Sequence, residues 1–479
     1  MLTLAELLAG LSFPLAVEGA ERVSLSQVCI DSRQAVPGSL FVALHGEHTD
    51  GHAYVADAFR AGAQVALVER PQEGVPAIDT LRGTKPEALS LPLVVVVPDS
   101  LRALQEIARA RRLARPELRV VAVTGSVGKT TAKEAIAAVL SQRYITLKSA
   151  GNFNNEIGLP LTLLALEPEH ERVVLEMGMY ALGEIAALCR LALPQVGVVT
   201  NVGPTHLERL GTLERIAQAK AELIEALPAE GVAILNGDDP RVRAMGAQAK
   251  GQVVTFGLSD HNTLWAEALE SLGLDGVRFV ARVAPSAGLG SGASAQPLRL
   301  MALGRHAVLS ALPAIAVGLL EGLSWEEIQR GLLAQGRGLR LLPKRGLRGT
   351  LLLDDTYNAS PVSTLAALDA LEGLPGRHLA VLGDMLELGP YEVEGHREVG
   401  RRCARGLAGL VTVGPRARLI AESALEAGLP ASAIHMTANS AEALEVLSVL
   451  LREGDVLLVK GSRAMGLEAI VSALEERSP

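Results

Sequence analysis

The stretch VVAVTGSVGKTT, residues 120–131, is the strongest indication of fold class in this chain. An apolar run ends at Thr124, glycines follow at positions 125 and 128, and Lys129 opens a pattern typical of a helix. Glycines in such a turn let backbone N–H groups point at a phosphate at the helix N-terminus, and the lysine adds positive charge. The longer phosphate-loop pattern G-x-x-x-x-G-K-[ST] would need glycine at position 123, where this chain has Val123. The residues alone predict a strand, a phosphate-binding loop and a helix, and leave open which kind of phosphate loop this is.

Short apolar runs alternate with helical patterns on the carboxyl side of this loop. RVVLEMG, VGVVTNVG and GVAILNG are typical of strands, and KTTAKEAIAAVLSQR and TLERIAQAKAELIEAL of helices. This alternation predicts a parallel sheet covered by helices. TLLLDD, LAVLGD, GLVTVG and DVLLVKGS predict a second unit of the same kind near the C-terminus.

The N-terminal part mixes short strand-like runs with helical ones. Thr3 and Glu6 are spaced as a capping box for a first short helix, and SLRALQEIARARRLARP predicts an amphipathic helix that ends before Pro116. We therefore predict an α/β protein of three domains: residues 1–115, a central parallel-sheet domain of residues 116–338, and a C-terminal Rossmann-like domain of residues 339–479. Residues 285–297, rich in small side chains, are predicted to form an exposed loop within the central domain, and a linker is the alternative.

Composition limits the classes of function. The net charge of −8 argues against a general nucleic-acid or membrane-surface binder. The N-terminus lacks a positively charged leader, and no apolar run approaches the roughly 18 to 20 residues that span a bilayer. Three widely spaced cysteines fit neither a disulfide framework nor a zinc site. We expect a cytoplasmic protein that binds no nucleic acid and does not insert into a membrane.

Potential ligands of phosphate and metal follow the predicted central strands. Glu176 ends the run RVVLEMG, where a carboxylate is costly unless it meets a cation, and a helix-capping role is the alternative. His206 follows a strand, and Lys220 lies on the next predicted helix. Only eight of the 45 basic residues are lysines, so each lysine is a candidate for a role that needs a primary amine, with chance at the surface as the alternative.

Together, these motifs resemble the Mur ligases. The resemblance rests on TGSVGKTT, AGNFNNEIGLPLTLL, LEMG, TNVGPTHLE with AKAEL, GRH, DDTYNASPVS and LVKGSRAMGLE, which follow the family's order along nearly the whole chain. The family's phosphate loop is the shorter G-x-x-G-K-[ST] form, so Val123 fits it. DDTYNASPVS and the lack of a D-N-P-R motif resemble the D-alanyl-D-alanine-adding branch, and residues 31–63 resemble its uridine-nucleotide-binding domain.

The resemblance implies an ATP- and Mg²⁺-dependent ligase. Such an enzyme joins D-alanyl-D-alanine to the terminal carboxylate of a UDP-N-acetylmuramoyl-tripeptide through an acyl phosphate, in peptidoglycan precursor synthesis. We expect a monomer whose domains close over ATP.

The resemblance also assigns residues to roles. Lys129 contacts the β- and γ-phosphates, Thr130 and Glu176 hold one Mg²⁺, and Arg340 in GLRLL reaches the γ-phosphate. His206 and Lys220 serve a second Mg²⁺, with Lys220 carbamylated by CO₂ because an ammonium cannot ligate a metal. Besides Lys129, Thr130 and Arg340, the residues expected to face ATP are Gly125, Ser126, Gly128, Thr131, Asn155, Asp355 and Asn358. Those expected to face the UDP-linked substrate are Asn152, Ser32, Arg33 and Gly46, the last three having core turn residues as the alternative.

The chain departs from the family pattern at three positions. GRHAVLSALPA stands where the family has GxHNxxNA, so Ala307 and Ser310 replace two amides and leave open how adenine is held. Ser360 in NASP replaces an asparagine of the family's NANP.

Three other functions compete with this interpretation. They are a P-loop kinase acting on a hydroxyl, a nucleotide-binding regulator without catalysis, and a related ligase that adds a different amino acid.

Overall fold

The N-terminal part of the computed structural model is a small parallel sheet with helices beside it. The structure describes residues 2–46, 49–205, 207–285, 288–289, 295–335 and 341–476. The sheet order is β3-β4-β5-β7-β6, with every neighbouring pair parallel, and β1 pairs with β2 in an antiparallel ribbon. The elements are β1 (Leu2–Thr3), α1 (Leu4–Gly10), β2 (Ser24–Leu25), β3 (Val28–Cys29), β4 (Leu40–Val42), α2 (Val55–Arg60), β5 (Val65–Val68), β6 (Ala77–Asp79), β7 (Leu93–Val96) and α3 (Ser100–Leu113).

The central part is built on a larger sheet in which an inner strand, β8, carries the phosphate loop. The order among the described strands is β16-β15-β14-β13-β12-β11-β8-β10-β9, and β15 and β16 run antiparallel at one edge. The strands are β8 (Arg119–Thr124), β9 (Thr146–Lys148), β10 (Arg172–Glu176), β11 (Val196–Val199), β12 (Val232–Asn236), β13 (Gln252–Gly257), β14 (Leu264–Ser271), β15 (Val277–Val283) and β16 (Ala295–Leu300). The helices are α4 (Lys129–Leu140), α5 (Gly158–Leu164), α6 (Glu184–Ala192), α7 (Leu207–Leu210), α8 (Leu213–Glu225), α9 (Pro240–Ala244), α10 (Arg305–Leu320) and α11 (Trp325–Ala334).

The C-terminal part is a second, mostly parallel sheet with the order β17-β18-β22-β19-β20-β21, in which only β17 is antiparallel among the described strands. Its strands are β17 (Leu342–Arg345), β18 (Leu351–Asp355), β19 (His378–Gly383), β20 (Gly409–Val413), β21 (Ile434–Thr437) and β22 (Val456–Lys460). Its helices are α12 (Pro361–Glu372), α13 (Glu392–Cys403), α14 (Arg418–Glu426), α15 (Ser440–Leu450) and α16 (Glu468–Leu474).

The predicted α/β class is confirmed, and so is the first capping box, in which Thr3 and Glu6 bond each other's backbone N–H. The domain boundaries stay a prediction. The predicted loop at 285–297 is wrong at its carboxyl end, because Ala295 already begins β16 and pairs with Arg282 of β15. Residues 286–287 and 290–294 lie outside the described residues.

Side-chain hydrogen bonds and close backbone packing join the three parts. From α3, Gln105 donates to the backbone oxygen of Glu156 at 3.0 Å, and the buried Arg112 donates to Ala192 O at 2.9 Å. On the other side, Gly389 of the C-terminal part lies against α7, where an added Cβ would come within 2.7 Å of Glu208 N. Within the described residues, no helix is both long and apolar enough to cross a membrane.

Candidate active site

The phosphate loop, residues 124–131, leaves the carboxyl end of β8 and is shaped by two glycines. Gly125 has a φ of 149°, and a Cβ there would lie 1.9 Å from Thr200 Oγ1. Gly128 has a φ of 86° and caps α4. Lys129 folds back so that its Nζ donates to Gly125 O at 2.8 Å. The loop therefore places backbone N–H groups, a helix N-terminus and an ammonium around one small space, which is the chemistry of a phosphate site.

The motif TNVG, which follows β11, forms hydrogen bonds to the phosphate loop. Thr200 Oγ1 donates to Val127 O at 2.7 Å, and Asn201 Oδ1 accepts from Val127 N at 2.9 Å. Ser126 Oγ accepts from Gly203 N at 2.9 Å. These bonds explain the TNVG motif, because they fix the conformation of the phosphate loop before any ligand arrives.

Glu176 ends β10, the parallel neighbour of β8, and its carboxylate is almost fully buried. Its Oε2 accepts from Thr130 Oγ1 at 2.9 Å, and its Oε1 accepts from Asn154 Nδ2 at 2.9 Å. The buried ammonium of Lys133 lies 3.8 Å from Oε2. The carboxylate is therefore compensated by α4 and the loop after β9, and in this structure it does not cap a helix.

Lys133 and Asn154 are site residues that the sequence analysis did not select. Lys133 is completely buried and also donates to Ser149 O at 2.8 Å. One signal was available, because Lys133 is among the eight lysines of an arginine-rich chain.

Lys220 lies on α8 and is 2% exposed. Among the described residues, no carboxylate lies within 4.0 Å of its ammonium and no hydrogen bond to it is formed. Burial, together with the positive charge of Lys129, holds the pKa of the Lys220 amine well below its ordinary value of 10.5. These surroundings favour the neutral, nucleophilic amine more than an exposed position would.

The C-terminal sheet supplies an opposite wall. Asp355, at the end of β18, accepts from Lys460 Nζ at 2.5 Å, and Lys460 also donates to Asn358 O at 2.9 Å. Both ion-pair partners are buried. His306 lies at the start of α10, where the charges of Asp355 and Lys460 both act on it. Burial lowers the pKa of its imidazole.

A cavity of about 1430 Å³ lies between the carboxyl edges of the two sheets and reaches α3 of the N-terminal part. The predicted residues that line it are Ser126, Gly128, Lys129, Thr130, Thr131, Asn152, Asn155, Glu176, Asp355 and Asn358. Gly125 and Lys220 lie outside this lining, although the charge of Lys129 acts on Lys220. His206 and Arg340 lie outside the described residues.

The three residues expected to face the uridine nucleotide are not part of this cavity. Ser32 follows β3 and Gly46 follows β4, so they lie at the carboxyl edge of the N-terminal sheet, and the exposed Arg33 pairs with Asp31 at 2.6 Å. The N-terminal residues that do line the cavity come from α3, which the sequence analysis had identified only as a helix: Arg102, Gln105, Glu106 and Arg109.

A group of potential metal ligands, His45, His52 and Glu69, lies at the same edge of the N-terminal sheet. Glu69 N donates to His52 Nε2 at 2.9 Å, and His52 Nδ1 lies 2.6 Å from Asp50 Oδ1. Both ring nitrogens of His52 are thus used by the protein, so the group is a hydrogen-bonded cluster in this fold.

The three departures from the family pattern have distinct surroundings. Ala307 is buried, and Ser310 donates to His306 O at 3.3 Å within α10. Gln335, whose amide donates to Thr131 O at 3.3 Å, lines the same cavity. Ser360 caps α12 in a reciprocal pair with Ser363.

A phosphate loop on a parallel sheet, facing a second sheet across a large cavity, defines a P-loop nucleotide-binding α/β protein. Family models described as "Mur ligase family, catalytic domain", "Mur ligase middle domain" and "Mur ligase, glutamate ligase domain" match residues 24–112, 123–318 and 340–463. The chain belongs to the Mur ligase family, as the sequence motifs predicted.

Curated relatives cover almost the whole chain. The UDP-N-acetylmuramoyl-tripeptide–D-alanyl-D-alanine ligase of Bacillus subtilis is 38% identical over 99% of this chain and 97% of that protein. The ligase of the same name from Escherichia coli is 35% identical over 96% of each chain.

Solved structures agree with the fold. A crystal structure of MurF from Acinetobacter baumannii has a TM-score of 0.81 and 32% identity, covering 95% of this chain and 94% of that one. MurF ligase from Thermotoga maritima in complex with ADP has a TM-score of 0.74 and 28% identity, covering 93% and 96%.

Proposed function

We propose that this chain joins D-alanyl-D-alanine to a UDP-N-acetylmuramoyl-tripeptide at the expense of ATP, in peptidoglycan precursor synthesis. The observation that carries the proposal is the similarity along the full length to ligases of that name, at 38% identity over 99% of the chain for the Bacillus subtilis protein. A cytoplasmic location is part of the proposal, because the reaction consumes ATP.

The phosphate loop is the proposed ATP site. Its helix N-terminus and Lys129 offer positive charge to the β- and γ-phosphates, and a similar chain from Thermotoga maritima was solved with ADP. The buried Asp355 and the exposed Asn358 of the C-terminal part line the same cavity as the loop. ATP therefore lies between two domains, and domain closure completes its site.

The oxygens of Thr130 and Glu176 fit a hard cation. They lie 2.9 Å apart beside the phosphate loop, and hydroxyl and carboxylate oxygens are the ligands that Mg²⁺ prefers. When bound there, Mg²⁺ would neutralise charge on the phosphates. Asn154 and Lys133 hold the carboxylate in place by bonding and balancing the same group.

Lys220 is the proposed site of a carbamate. Its neutral amine adds to CO₂, forming a C–N bond and releasing one proton, and the product carries an anionic oxygen pair in place of a neutral nitrogen. This negative charge suits a second cation site, for which His206 is the proposed partner. Burial of Lys220 without a described carboxylate partner supports the proposal, because a carbamate needs a neutral amine.

The proposed reaction has two steps, and the first brings the tripeptide carboxylate and the triphosphate of ATP, both anions, together. The terminal carboxylate of the tripeptide attacks the γ-phosphorus of ATP, the bond to the β-phosphate oxygen breaks, and ADP leaves. The amine of the dipeptide then attacks the acyl carbon, and phosphate leaves as the amide forms. Both steps need positioning and charge neutralisation, which the loop and Lys129 supply, together with Arg340 by family resemblance.

An assay of the purified protein tests this function. The reaction contains ATP, Mg²⁺, a UDP-N-acetylmuramoyl-tripeptide with lysine or diaminopimelate at position three, and either D-alanyl-D-alanine or single amino acids. We expect ADP release only when both the tripeptide and the dipeptide are present, with an amide product of the summed mass less water.

Each competing function gives a different result. ADP release without an added amine would indicate a kinase or an ATPase. Amide formation with a single amino acid and not with the dipeptide would indicate a related ligase, and ATP binding without product a regulator.

A further inference from the structure

The motif LVKGSRAMGLE has a second cation, Arg463, to which the catalytic scheme gives no role. Arg463 begins the short 3-10 turn that follows β22 and lines the cavity. The turn is anchored next to it, because Ser462 N donates to Asp384 O at 3.1 Å and Ser462 Oγ accepts from Leu386 N at 2.9 Å. The backbone that carries Arg463 is therefore fixed.

The guanidinium of Arg463 lies over an aromatic face. Its Cζ is 5.1 Å from the centroid of the Tyr357 ring, within the range of a cation–π contact. Tyr357 lines the cavity beside Asn358. This contact restricts the guanidinium to one side of the cavity without neutralising its charge.

The two cations of the motif differ in their partners. Lys460 is paired with Asp355 in the buried wall. Arg463 is exposed, and among the described residues no carboxylate lies within 4.0 Å of its guanidinium. Lys460 and Arg463 are the cations that the described C-terminal residues contribute to the cavity lining. Arg463 is thus the charge on this wall that remains for a ligand.

We propose that Arg463 binds the carboxylate of the incoming D-alanyl-D-alanine, an inference that rests on the proposed function. The phosphate loop and Glu176 occupy the central wall, so the attacking amine approaches from the C-terminal wall. An extended dipeptide spans at most about 7 Å, so its free carboxylate stays within about 7 Å of the amine and can reach the C-terminal wall. A guanidinium offers paired N–H donors that match a carboxylate.

The neighbouring loop after β19 supports this placement. Leu386, bonded to Ser462, precedes Glu387, which lines the cavity and whose charge acts on Tyr180 of the central part. Arg463 therefore lies on the surface that meets the loop after β10, where Glu176 ends the strand. A carboxylate anchored there places the rest of the dipeptide between the two walls.

The test combines a protein variant with a substrate variant. Initial rates are measured for wild type, Arg463→Met and Arg463→Lys with D-alanyl-D-alanine and with its C-terminal amide. For wild type, we expect the amide to have a KM about 10- to 100-fold higher, because a charged hydrogen-bonded pair is lost. Arg463→Met should show that high KM with both dipeptides, and Arg463→Lys an intermediate preference for the carboxylate. KM for ATP and for the UDP-linked substrate should not change.

The matched control is Arg418→Met, which removes an exposed arginine of α14 outside the cavity lining and should behave as wild type. If Arg463→Met still prefers the carboxylate as wild type does, or if its KM rises for ATP or the UDP-linked substrate instead, the inference is wrong. If wild type forms no product with D-alanyl-D-alanine, the proposed function itself fails, and the two failures are thereby distinguished. Thermal unfolding of each variant checks that it is folded.

Discussion

Two buried lysines, one in the central part and one in the C-terminal part, have opposite surroundings. Lys460 of the C-terminal part is 1% exposed and lies 2.5 Å from the Asp355 carboxylate. Lys220 of the central part is 2% exposed and has no carboxylate within 4.0 Å among the described residues. Burial and the charge of Lys129 lower the pKa of Lys220 well below 10.5.

The presence or absence of a carboxylate partner distinguishes a lysine that stabilises the fold from one that can react. A buried ammonium is tolerated when an opposite charge compensates for lost hydration, as at Lys460. Without that partner, the charged form is expensive, and the amine favours its neutral form. Lys460 therefore stabilises the wall on which it lies, whereas Lys220 gives up stability to keep a reactive nitrogen.

The largest effect should come from Lys129→Ala, which removes the charge of the phosphate loop. We expect turnover to fall by at least about 100-fold, because the lysine stabilises charge on the transferred phosphoryl group. Binding of the UDP-linked substrate, measured by calorimetry, should survive. Turnover near that of wild type would show that this loop is not the ATP site.

Substitution of Lys220 should remove most of the activity. We expect Lys220→Met and Lys220→Arg to lose turnover by roughly 100-fold, since neither side chain forms a carbamate and the ligand charge is lost. Lys220→Ala should be partly rescued by acetate, whose carboxylate supplies the missing oxygens. Substantial activity in Lys220→Arg, whose guanidinium stays positively charged, would contradict a carbamate.

The same substitution has a pH signature. In CO₂-depleted buffer at pH 7, Lys220→Met should be as stable as wild type or more stable by about 1 kcal/mol, because a buried uncompensated amine is removed. The lysine takes up a proton on unfolding, so wild type gains stability relative to Lys220→Met as the pH is raised toward 10.5. Urea unfolding at pH 7 and pH 9 measures this difference.

Lys460→Met should have the reverse phenotype in stability. Removing one partner leaves the Asp355 carboxylate buried, and we expect a loss of about 3 kcal/mol in the free energy of unfolding. The double variant Lys460→Met/Asp355→Leu should recover part of the loss. If Lys460→Met unfolds at the same urea concentration as wild type, the pair does not stabilise the fold, and the comparison fails.

Much of the fold was predictable because its signals are local. The apolar strand, the two glycines and Lys129 occur within twelve consecutive residues, and their geometry follows from that order. The burial of Lys133 was not predictable, because a lysine in KTTAKEAIAAVL is typical of an exposed helix position. Its role depends on β10 pairing with β8, which brings Glu176 beneath α4.

Other positions also show that roles which depend on long-range packing cannot be predicted from local sequence. Ser360 is recognisable as a change from the family pattern, but only the structure shows that it caps α12. That Ser32, Arg33 and Gly46 face the UDP-linked substrate stays a prediction, because the position of their sheet edge relative to the cavity depends on how α3 packs on α5 and α6. Such packing is set by many weak contacts distributed over distant residues.

Carbon-13 NMR tests the central distinction between the two lysines most directly. The protein is equilibrated with ¹³C-labelled bicarbonate, and spectra are compared for wild type, Lys220→Met and the paired-lysine control Lys460→Met. We predict a carbamate resonance in wild type and in Lys460→Met that is absent from Lys220→Met. Spectra without such a resonance in the catalytically active wild-type protein, or with the same resonance in Lys220→Met, would contradict the account.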